Sequence, residues 1–277
     1  MSTAAPKVAI FCNTFSASFI FRQTLIAALQ KEDRLSAVVS LTDDKVNVAE
    51  AVKQVQTETI RLTLPGILKT ARRLRASGTE ICHGFTHAGN MAALLQGVVL
   101  GLPVIMNITG MGRAFSTTSL YNTLLRVGLL GFYTLSQGMV RNIIVQNQDD
   151  ARLISRTFLP WMRHKILCTN GSGIAPAFFR RVRPEIIGTA QTPIRVGFFS
   201  RALPEKGVLD FYALADRHRA NKEIAFHHIG HPGAEGFASD QIEEYAKRHN
   251  LTYLPFQVDP RPWLLAMDIV VLPSHYR

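Results

Sequence analysis

The sequence predicts an α/β protein with two doubly wound domains, each built on a parallel sheet that helices cover on both faces. Two observations lead to this fold class. Short apolar runs of strand length alternate with longer segments of helical periodicity along the chain, and this alternation is typical of parallel sheets. A polar stretch marked by proline and glycine, Pro184–Pro193, interrupts the pattern, which starts again beyond it.

The first domain is predicted to span residues 1–183, and a linker over residues 184–193 follows it. Its strands are the short apolar runs Val8–Cys12, Ala37–Ser40, Thr59–Leu62, Ile81–His83, Val104–Asn107, Ile143–Val145 and Lys165–Cys168. Its helices are the longer periodic segments Phe19–Gln30, Val46–Gln54, Ile67–Ala76, Ala88–Leu100, Leu120–Met139 and Asp149–Thr157.

The second domain, residues 194–277, repeats the alternation on a smaller scale. Its predicted strands are Ile194–Phe199, Ile224–Ile229, Leu251–Tyr253 and Ile269–Leu272, and its helices are Val208–Arg219, Ser239–Asn250 and Pro262–Ala266. The chain stops soon after the last of these strands, whose face would then lack a covering helix. We therefore expect this domain to be incomplete, or to have its partner surface elsewhere.

Composition and charge narrow the class of protein. With 277 residues, 47% apolar and 18% charged, the chain can bury the cores of two domains of about 100–200 residues each. Residues 191–277 hold ten Lys and Arg and ten Asp and Glu, so the net charge of +11 arises in residues 1–190. A basic half favours a surface that faces nucleic acid or anionic lipid headgroups, although general solubility is an alternative.

The cysteines and the longest apolar regions indicate a cytosolic compartment. Cys12, Cys82 and Cys168 show no pairing pattern and lie in or at the ends of apolar runs, which predicts reduced core thiols. We recognise no signal peptide before the first strand, and no apolar run reaches the roughly 18 residues of a membrane span.

The strongest local signal for a binding site lies in the loop after Ile194–Phe199. Arg201 and Lys206 occupy this loop, and Gly207 precedes the next predicted helix. The free N–H groups at a helix N-terminus attract an anion, and Arg and Lys neutralise its charge. These residues therefore predict a phosphate-binding site, whereas the alternative is two surface cations near Glu205.

Other candidate residues follow the strands of the first domain, where α/β sheets place their ligands. His83 and His87 come after one strand, and His87 is suited to contact a sugar hydroxyl or to stabilise developing charge, although helix capping or a core role is an alternative. Candidates for substrate binding are Asn13, Asn107, Gly110, Gly112 and Gly173, which occupy polar or glycine-containing strand ends. A helix cap or a plain turn would explain several of them equally well.

Two further patterns invite a functional interpretation. The segment Ile67–Ala76 has Ile67, Leu68, Ala71 and Leu74 on one helical face and four cations on the others. It is typical of a helix on an anionic membrane surface, or of the solvated side of an ordinary helix. His227, His228 and His231 form no metal-ligand spacing with carboxylates or thiolates, so no metal site is predicted.

Taken in order, six short motifs resemble those of bacterial family-four glycosyltransferases with the GT-B fold, over nearly all of the chain. The motifs are Phe21-Arg22-x-x-Leu25-Ile26, Asn107-Ile108-Thr109-Gly110-Met111-Gly112-x-x-Phe115, Val145-Gln146-Asn147-Gln148-Asp149-Asp150, Asn170-Gly171-Ser172-Gly173-Ile174, Ser200-Arg201-x-x-x-Glu205-Lys206-Gly207 and Asp268-Ile269-Val270-Val271-Leu272-Pro273-Ser274. The group with the most similar motifs extends lipid-linked sugars for surface polysaccharides, including lipopolysaccharide.

The resemblance implies retaining transfer of a hexosyl or N-acetylhexosaminyl group from a nucleotide-sugar, expected to be a UDP-sugar. The acceptor would be a lipid-linked or polysaccharide-precursor glycan, used at the cytosolic face of the membrane by a peripheral enzyme. In the family, the residues that match Arg201 and Lys206 hold the donor diphosphate, with Ser200 and Gly207 in the same motif. The nucleotide-sugar is a substrate, and the resemblance implies no cofactor and no catalytic metal.

The chain departs from the family pattern at its end. In the family, Pro-Ser is followed after three residues by Glu-Gly, the start of a motif with two glutamates that bind the ribose and sugar of the donor. Here Pro273-Ser274-His275-Tyr276-Arg277 ends the chain. We therefore expect a truncated enzyme with weak donor binding and little turnover, and detectable transfer by the purified chain would contradict this expectation.

Two other functions compete with this interpretation. One is a catalytically inactive remnant that binds a membrane or a protein partner through its first domain. The other is a polyanion-binding α/β protein with nucleic acid as its ligand, which predicts strongly salt-dependent binding. The sequence lacks the interleaved aromatic and basic residues of single-strand binders, so no nucleic-acid partner is expected.

Overall fold

A computed structural model describes residues 5–44, 55–112, 115, 119–173, 193–232, 239–257 and 259–275. The chain divides into two compact units, Met1–Phe178 and Phe179–Arg277. The predicted helix Val46–Gln54 and residues 184–192 of the predicted linker lie outside the described residues.

The first unit contains a seven-stranded, entirely parallel sheet in the order β3-β2-β1-β4-β5-β6-β7. Its strands are β1 (Val8–Thr14), β2 (Leu35–Thr42), β3 (Thr57–Thr59), β4 (Ile81–Phe85), β5 (Val104–Ile108), β6 (Val140–Val145) and β7 (Ile166–Cys168). Its α-helices are α1 (Phe15–Phe21), α2 (Gln23–Lys31), α3 (Leu64–Ala76), α4 (Thr86–Leu100), α5 (Leu120–Ser136) and α6 (Gln148–Thr157), and a 3-10 helix spans Pro160–Lys165.

Both faces of this sheet carry a buried apolar core. Along β1, Ala9 and Phe11 belong to one core while Val8, Ile10 and Cys12 belong to the other. Successive strand residues point to opposite faces of a sheet, so a continuous apolar run is what a doubly covered strand requires. The structure confirms the predicted α/β architecture with parallel sheets.

The second unit contains a four-stranded parallel sheet in the order β10-β9-β8-β11. Its elements are β8 (Ile194–Phe199), a 3-10 turn (Pro204–Lys206), α7 (Val208–Arg217), β9 (Ile224–Ile229), α8 (Ser239–Arg248), β10 (Thr252–Leu254), α9 (Arg261–Leu265) and β11 (Ile269–Val270). Its core is rich in aromatic residues and centres on Phe198, Phe211 and Tyr212, which are fully buried.

Each sheet reverses its winding direction beside the first strand of its unit. In the first unit, β2 and β4 flank β1 on opposite sides, and in the second unit β9 and β11 flank β8 in the same way. In open α/β sheets, ligands bind at the carboxyl ends of the strands at such a reversal. A binding site is therefore expected at the loops after β1 and β4 and at the loops after β8 and β11.

Several predicted boundaries differ from the structure. The strand predicted at Thr59–Leu62 lies earlier, at Thr57–Thr59, because β2 pairs with those residues. The helix predicted at Phe19–Gln30 is two helices that meet at Arg22.

One prediction about burial is also corrected. Cys168 is exposed because β7 is an edge strand, so only Cys12 and Cys82 are core thiols. On α3, Leu68 is 42% exposed, and the buried face of the helix is formed by Thr70, Ala71 and Leu74. Among the described helices, none combines the length and apolar content needed to cross a membrane.

Candidate functional site

The loop Ser200–Gly207 connects β8 to α7 at the reversal of the second sheet. Pro204–Lys206 form a 3-10 turn, and Gly207 then takes a left-handed conformation with φ of 76° at the start of α7. A Cβ atom at Gly207 would overlap the carbonyl group of Pro273. The glycine is therefore required both by its backbone angle and by the close approach of the segment that follows β11.

Neighbouring backbone holds this loop in place. The amide of Ser200 donates to the carbonyl of Ile229 at 3.2 Å, and the amide of Ala202 donates to that of His231 at 3.0 Å. On the other side, the amide of His275 donates to the carbonyl of Glu205 at 3.0 Å. The loop is thus tied to the carboxyl ends of both strands that flank β8.

A buried histidine adds a contact that depends on its neutral form. His228 is fully buried, and burial lowers its pKa to about 4. The hydroxyl of Tyr212 lies 3.0 Å from His228 Nδ1, and His228 Nε2 lies 3.0 Å from the carbonyl oxygen of Ser200. Because only Nε2–H can donate to a carbonyl, Tyr212 donates to Nδ1, and this chain of hydrogen bonds fixes the position of Ser200.

The cations predicted to bind phosphate lie on this fixed loop. Arg201 is exposed, Lys206 is half-buried and belongs to the 3-10 turn, and Gly207 adjoins the first N–H groups of α7. Two cations beside a helix N-terminus provide charge and N–H donors for an anion. The structure therefore brings together Ser200, Arg201, Lys206 and Gly207, the four residues that the sequence assigns to this site.

In the first unit, four predicted site residues lie near the start of α4, next to the reversal between β1 and β4: His87, Asn107, Gly110 and Gly112. Thr86 has a φ of 66°, a conformation that is strained for a β-branched residue and is often found at functional sites. It precedes His87, whose Nδ1 lies 2.9 Å from the hydroxyl of Tyr133 and whose Nε2 lies 3.2 Å from the carbonyl oxygen of Met111.

A second set of hydrogen bonds fixes the tautomer of His87. Asn90 Nδ2 donates to the Tyr133 oxygen at 3.1 Å, so the tyrosine hydrogen is directed to His87 Nδ1. His87 Nε2–H then donates to Met111, between Gly110 (φ 142°) and Gly112 (φ 69°). Burial lowers the pKa of His87, and the neutral ring thus holds the glycine loop, while its predicted catalytic role stays a prediction.

The remaining candidates differ in their surroundings. Asn107 lies in the same network, since its backbone N–H and carbonyl group both bond to the side chain of Asn90, at 3.1 Å each. Asn13 has an exposed side chain, and its carbonyl accepts from Ser40. Gly173 is exposed after β7 with a φ of 76°, so neither residue joins the network around His87.

The structure shows hydrogen-bonding roles that sequence reasoning missed. Asn90, Tyr133, Tyr212 and His228 are all buried and supply the hydrogen bonds that hold the two loops. No local motif indicates which of these residues are hydrogen-bonded to each other. Tyr133, for example, lies 46 residues from its partner His87 along the chain. Within the described ranges, no three His, Cys, Asp or Glu side chains are grouped to hold a metal ion.

Known structures provide a comparison for this arrangement. HepE from Anabaena, solved with UDP-glucose, is similar with a TM-score of 0.67 and 16% identity, over 96% of this chain and 74% of HepE. A glycosyltransferase from Rickettsia africae has a TM-score of 0.67 and 12% identity, over 97% and 73% of the two chains. Sucrose-phosphate synthase from Thermosynechococcus elongatus has a TM-score of 0.65 and 14% identity, over 99% and 76%.

These likenesses identify the fold. No model of a known protein family matches the sequence, and no curated protein sequence matches it. At identities of 12–16%, structural similarity shows a shared fold rather than a shared activity. The two parallel sheets and these neighbours together define a protein of the GT-B fold.

Proposed function

We propose that this protein is a retaining glycosyltransferase of family four that moves a sugar from a UDP-sugar to a lipid-linked or polysaccharide-precursor acceptor. The single observation that carries the proposal is the loop Ser200–Gly207, which presents Arg201 and Lys206 beside a helix N-terminus at the reversal of the second sheet. Support also comes from the complexes of HepE with UDP and UDP-glucose.

The chemistry of transfer explains why such a loop is useful. When the bond between a sugar and a diphosphate breaks, negative charge builds up on the leaving diphosphate. Cations held in place before the reaction stabilise this charge more in the transition state than in the ground state. Arg201 and Lys206 would supply that charge, and the hydrogen bonds to Ser200 and Glu205 hold their loop in position.

Two exposed helix surfaces are evidence that the acceptor is located at a membrane. On α3, the side chains of Leu64, Leu68, Arg72 and Arg75 form one exposed stripe with apolar and cationic parts. On α5, the residues Leu120, Tyr121, Leu124 and Val127 are each more than 60% exposed. Apolar side chains beside cations suit the interface of an anionic bilayer, so we propose that the enzyme works there, on the cytosolic face.

Binding of UDP by the purified full chain tests the donor site. We expect isothermal titration calorimetry to detect UDP binding, and we expect Arg201→Gln or Lys206→Gln to weaken it at least tenfold, because each removes a charge-assisted contact to the diphosphate. Arg217→Gln is the matched control, since Arg217 is an exposed cation in the last turn of α7. Equal affinity of all four proteins for UDP would contradict the proposed donor site.

Transfer itself is tested with radiolabelled UDP-glucose and UDP-N-acetylglucosamine on bacterial membranes that supply lipid-linked acceptors. Labelled lipid product would support sugar transfer and would contradict the sequence-based expectation of little turnover, and NMR of its anomeric proton reports whether the configuration of the donor sugar is retained. A product of inverted configuration would contradict the retaining mechanism while leaving nucleotide-sugar transfer intact.

A further inference from the structure

A cavity of about 240 Å³ lies in the first unit beside the junction of α1 and α2. It is distinct from the hydrogen-bonded network around His87, although Asn107 borders both. The polar residues that line it come from the helix junction, from β4, from β5 and from the segment after β7, and they are Arg22, Thr24, His83, Asn107, Thr169 and Ser172.

Arg22 carries a buried charge into this cavity. Its side chain lies over the ring of Phe85, 4.6 Å from the centroid, and Nη1 donates to the carbonyl of Phe21 at 3.0 Å. The residue is only 9% exposed. Among the described residues, the one ionisable group that favours its charge is the thiol of Cys12, and burial raises the pKa of that thiol to about 11.

A buried guanidinium without a counter-charge is unfavourable. Transfer of a charge out of water is costly unless an opposite charge and hydrogen bonds replace the lost solvation. Cys12 is protonated at neutral pH and supplies no negative charge. Arg22 is therefore arranged to receive an anion in the cavity.

Two other polar atoms at the cavity lack hydrogen-bond partners among the described residues. His83 Nε2 and Asn107 Oδ1 are both buried and unpaired, and the His83 ring packs against Phe85 with 4.3 Å between centroids. Buried polar atoms in native proteins nearly always have a partner. These atoms therefore indicate that a ligand with hydrogen-bonding groups completes the cavity.

We infer that this cavity binds a phosphorylated sugar, with Arg22 holding the phosphoryl oxygens and with Asn107 and His83 facing hydroxyl groups of the sugar. The planar guanidinium matches phosphoryl oxygens with two parallel hydrogen bonds. Asn107 Oδ1 is only an acceptor, so a bare anion would leave it unpaired, whereas a sugar hydroxyl donates to it. Identifying this ligand as the acceptor rests on the proposed function, and the binding itself does not.

Calorimetry on the full chain tests the inference with glucose 1-phosphate, inorganic phosphate and glucose as ligands. We expect glucose 1-phosphate to bind more tightly than either of the other two. Arg22→Met should weaken that binding at least tenfold, because Met keeps the apolar stem over Phe85 and removes the charge. Arg141→Met is the matched control at an exposed position, and it should leave the affinity unchanged.

A structural role of Arg22 is tested by two further measurements. The melting temperature of Arg22→Met should equal or exceed that of the unchanged protein, because the variant removes a buried charge that has no counter-charge among the described residues. In the unchanged protein, NMR signals of the His83 imidazole should shift when glucose 1-phosphate is added. Unaltered His83 signals, equal affinity of Arg22→Met, or a lowered melting temperature with lost UDP binding would each overturn the inference.

A ligand that carries a prenyl chain distinguishes the two possible sources of the phosphoryl group, a lipid-linked sugar and a free sugar phosphate. Tighter binding of a prenyl-diphosphate-linked glucose than of glucose 1-phosphate supports a lipid-linked ligand, and equal binding supports a free sugar phosphate. UDP titrations on the same proteins separate this inference from the proposed function. Absence of UDP binding would contradict the donor site of the second unit, while binding of glucose 1-phosphate at Arg22 would still stand.

Discussion

At the scale of single residues, Gly207 shows how one backbone position shapes the candidate donor site. Its left-handed φ turns the chain from the 3-10 turn into α7, and its missing side chain lets Pro273 approach. The sequence predicted Gly207 from its place before a helix, but the contact with Pro273 joins residues that are 66 positions apart. Such a contact depends on strand order, which the sequence pattern did not predict.

Replacing Gly207 by alanine should therefore damage both stability and binding. We expect Gly207→Ala to lower the free energy of unfolding by at least about 2 kcal/mol, from the positive φ and the overlap with Pro273. Urea denaturation measures the loss, and calorimetry should show weaker UDP binding.

Gly128→Ala provides the matched control within a helix. Gly128 lies in α5, and among the described residues no atom apart from its chain neighbours and the backbone of its own helix lies within 4 Å of the position that a Cβ would take there. Alanine at this position should therefore raise stability by about 0.5–1 kcal/mol. Unchanged stability of Gly207→Ala would show that the backbone of this loop can adjust without cost.

At the scale of elements, the sequence predicted most helices and strands, but it did not show which side of a helix packs or where a helix breaks. Helical spacing places Leu68 beside Ala71, yet the sheet and α4 leave Leu68 at the exposed edge of the packed face. The junction of α1 and α2 at Arg22 also has no sequence signal, since no glycine or proline marks it. Local periodicity indicates neither the exposed side of α3 nor the break at Arg22, because both depend on tertiary packing.

The exposed stripe of α3 leads to a prediction about membranes. The double variant Arg72→Gln/Arg75→Gln should bind vesicles of equal parts phosphatidylcholine and phosphatidylglycerol about thirtyfold more weakly, because each Arg near an anionic surface contributes about 1 kcal/mol. Cosedimentation with the vesicles measures the change.

The matched control for the membrane prediction is Arg217→Gln/Arg219→Gln, which removes two exposed cations from the second unit. This control should bind vesicles as the unchanged protein does. Equal weakening by both double variants would indicate attraction through net charge, and strong salt-dependent binding to DNA by the unchanged protein would favour the polyanion-binding alternative.

At the scale of the whole molecule, both units repeat one plan, in which a parallel sheet reverses beside its first strand. The alternation of apolar runs and helical segments was sufficient to predict this α/β plan, because it depends only on local patterns and on burial of both sheet faces. The same pattern could not predict the contacts of the buried Arg22, Tyr133 and His228, since packing between distant segments determines their partners.

Each unit also contains one histidine whose pKa is lowered by desolvation to about 4, and this predicts a pH dependence of folding. Burial lowers the pKa of His83 and of His228 to about 4, whereas the unfolded chain protonates histidine near pH 6.5. The unfolded state therefore binds more protons below pH 6.5, so stability is lost as pH falls from 6.5 toward 4. Between pH 7 and pH 5, the loss should be about 2 kcal/mol for each histidine.

Urea denaturation at pH 7 and pH 5 measures this dependence. His228→Asn cannot titrate in this range, so its stability should fall less steeply with decreasing pH than that of the unchanged protein. Identical pH profiles of the two proteins would show that His228 is protonated in the folded state as readily as in the unfolded chain.

The exposed thiol at the end of β7 offers a spectroscopic reporter. Cys168 is exposed while Cys12 and Cys82 are buried, so a maleimide dye should label the native chain at one position without any engineering. Thr169 and Ser172 line the Arg22 cavity, and Thr169 is the residue next to Cys168 in the chain. The fluorescence of that dye would therefore report in real time when a phosphorylated sugar occupies the cavity, in a protein with no substitution.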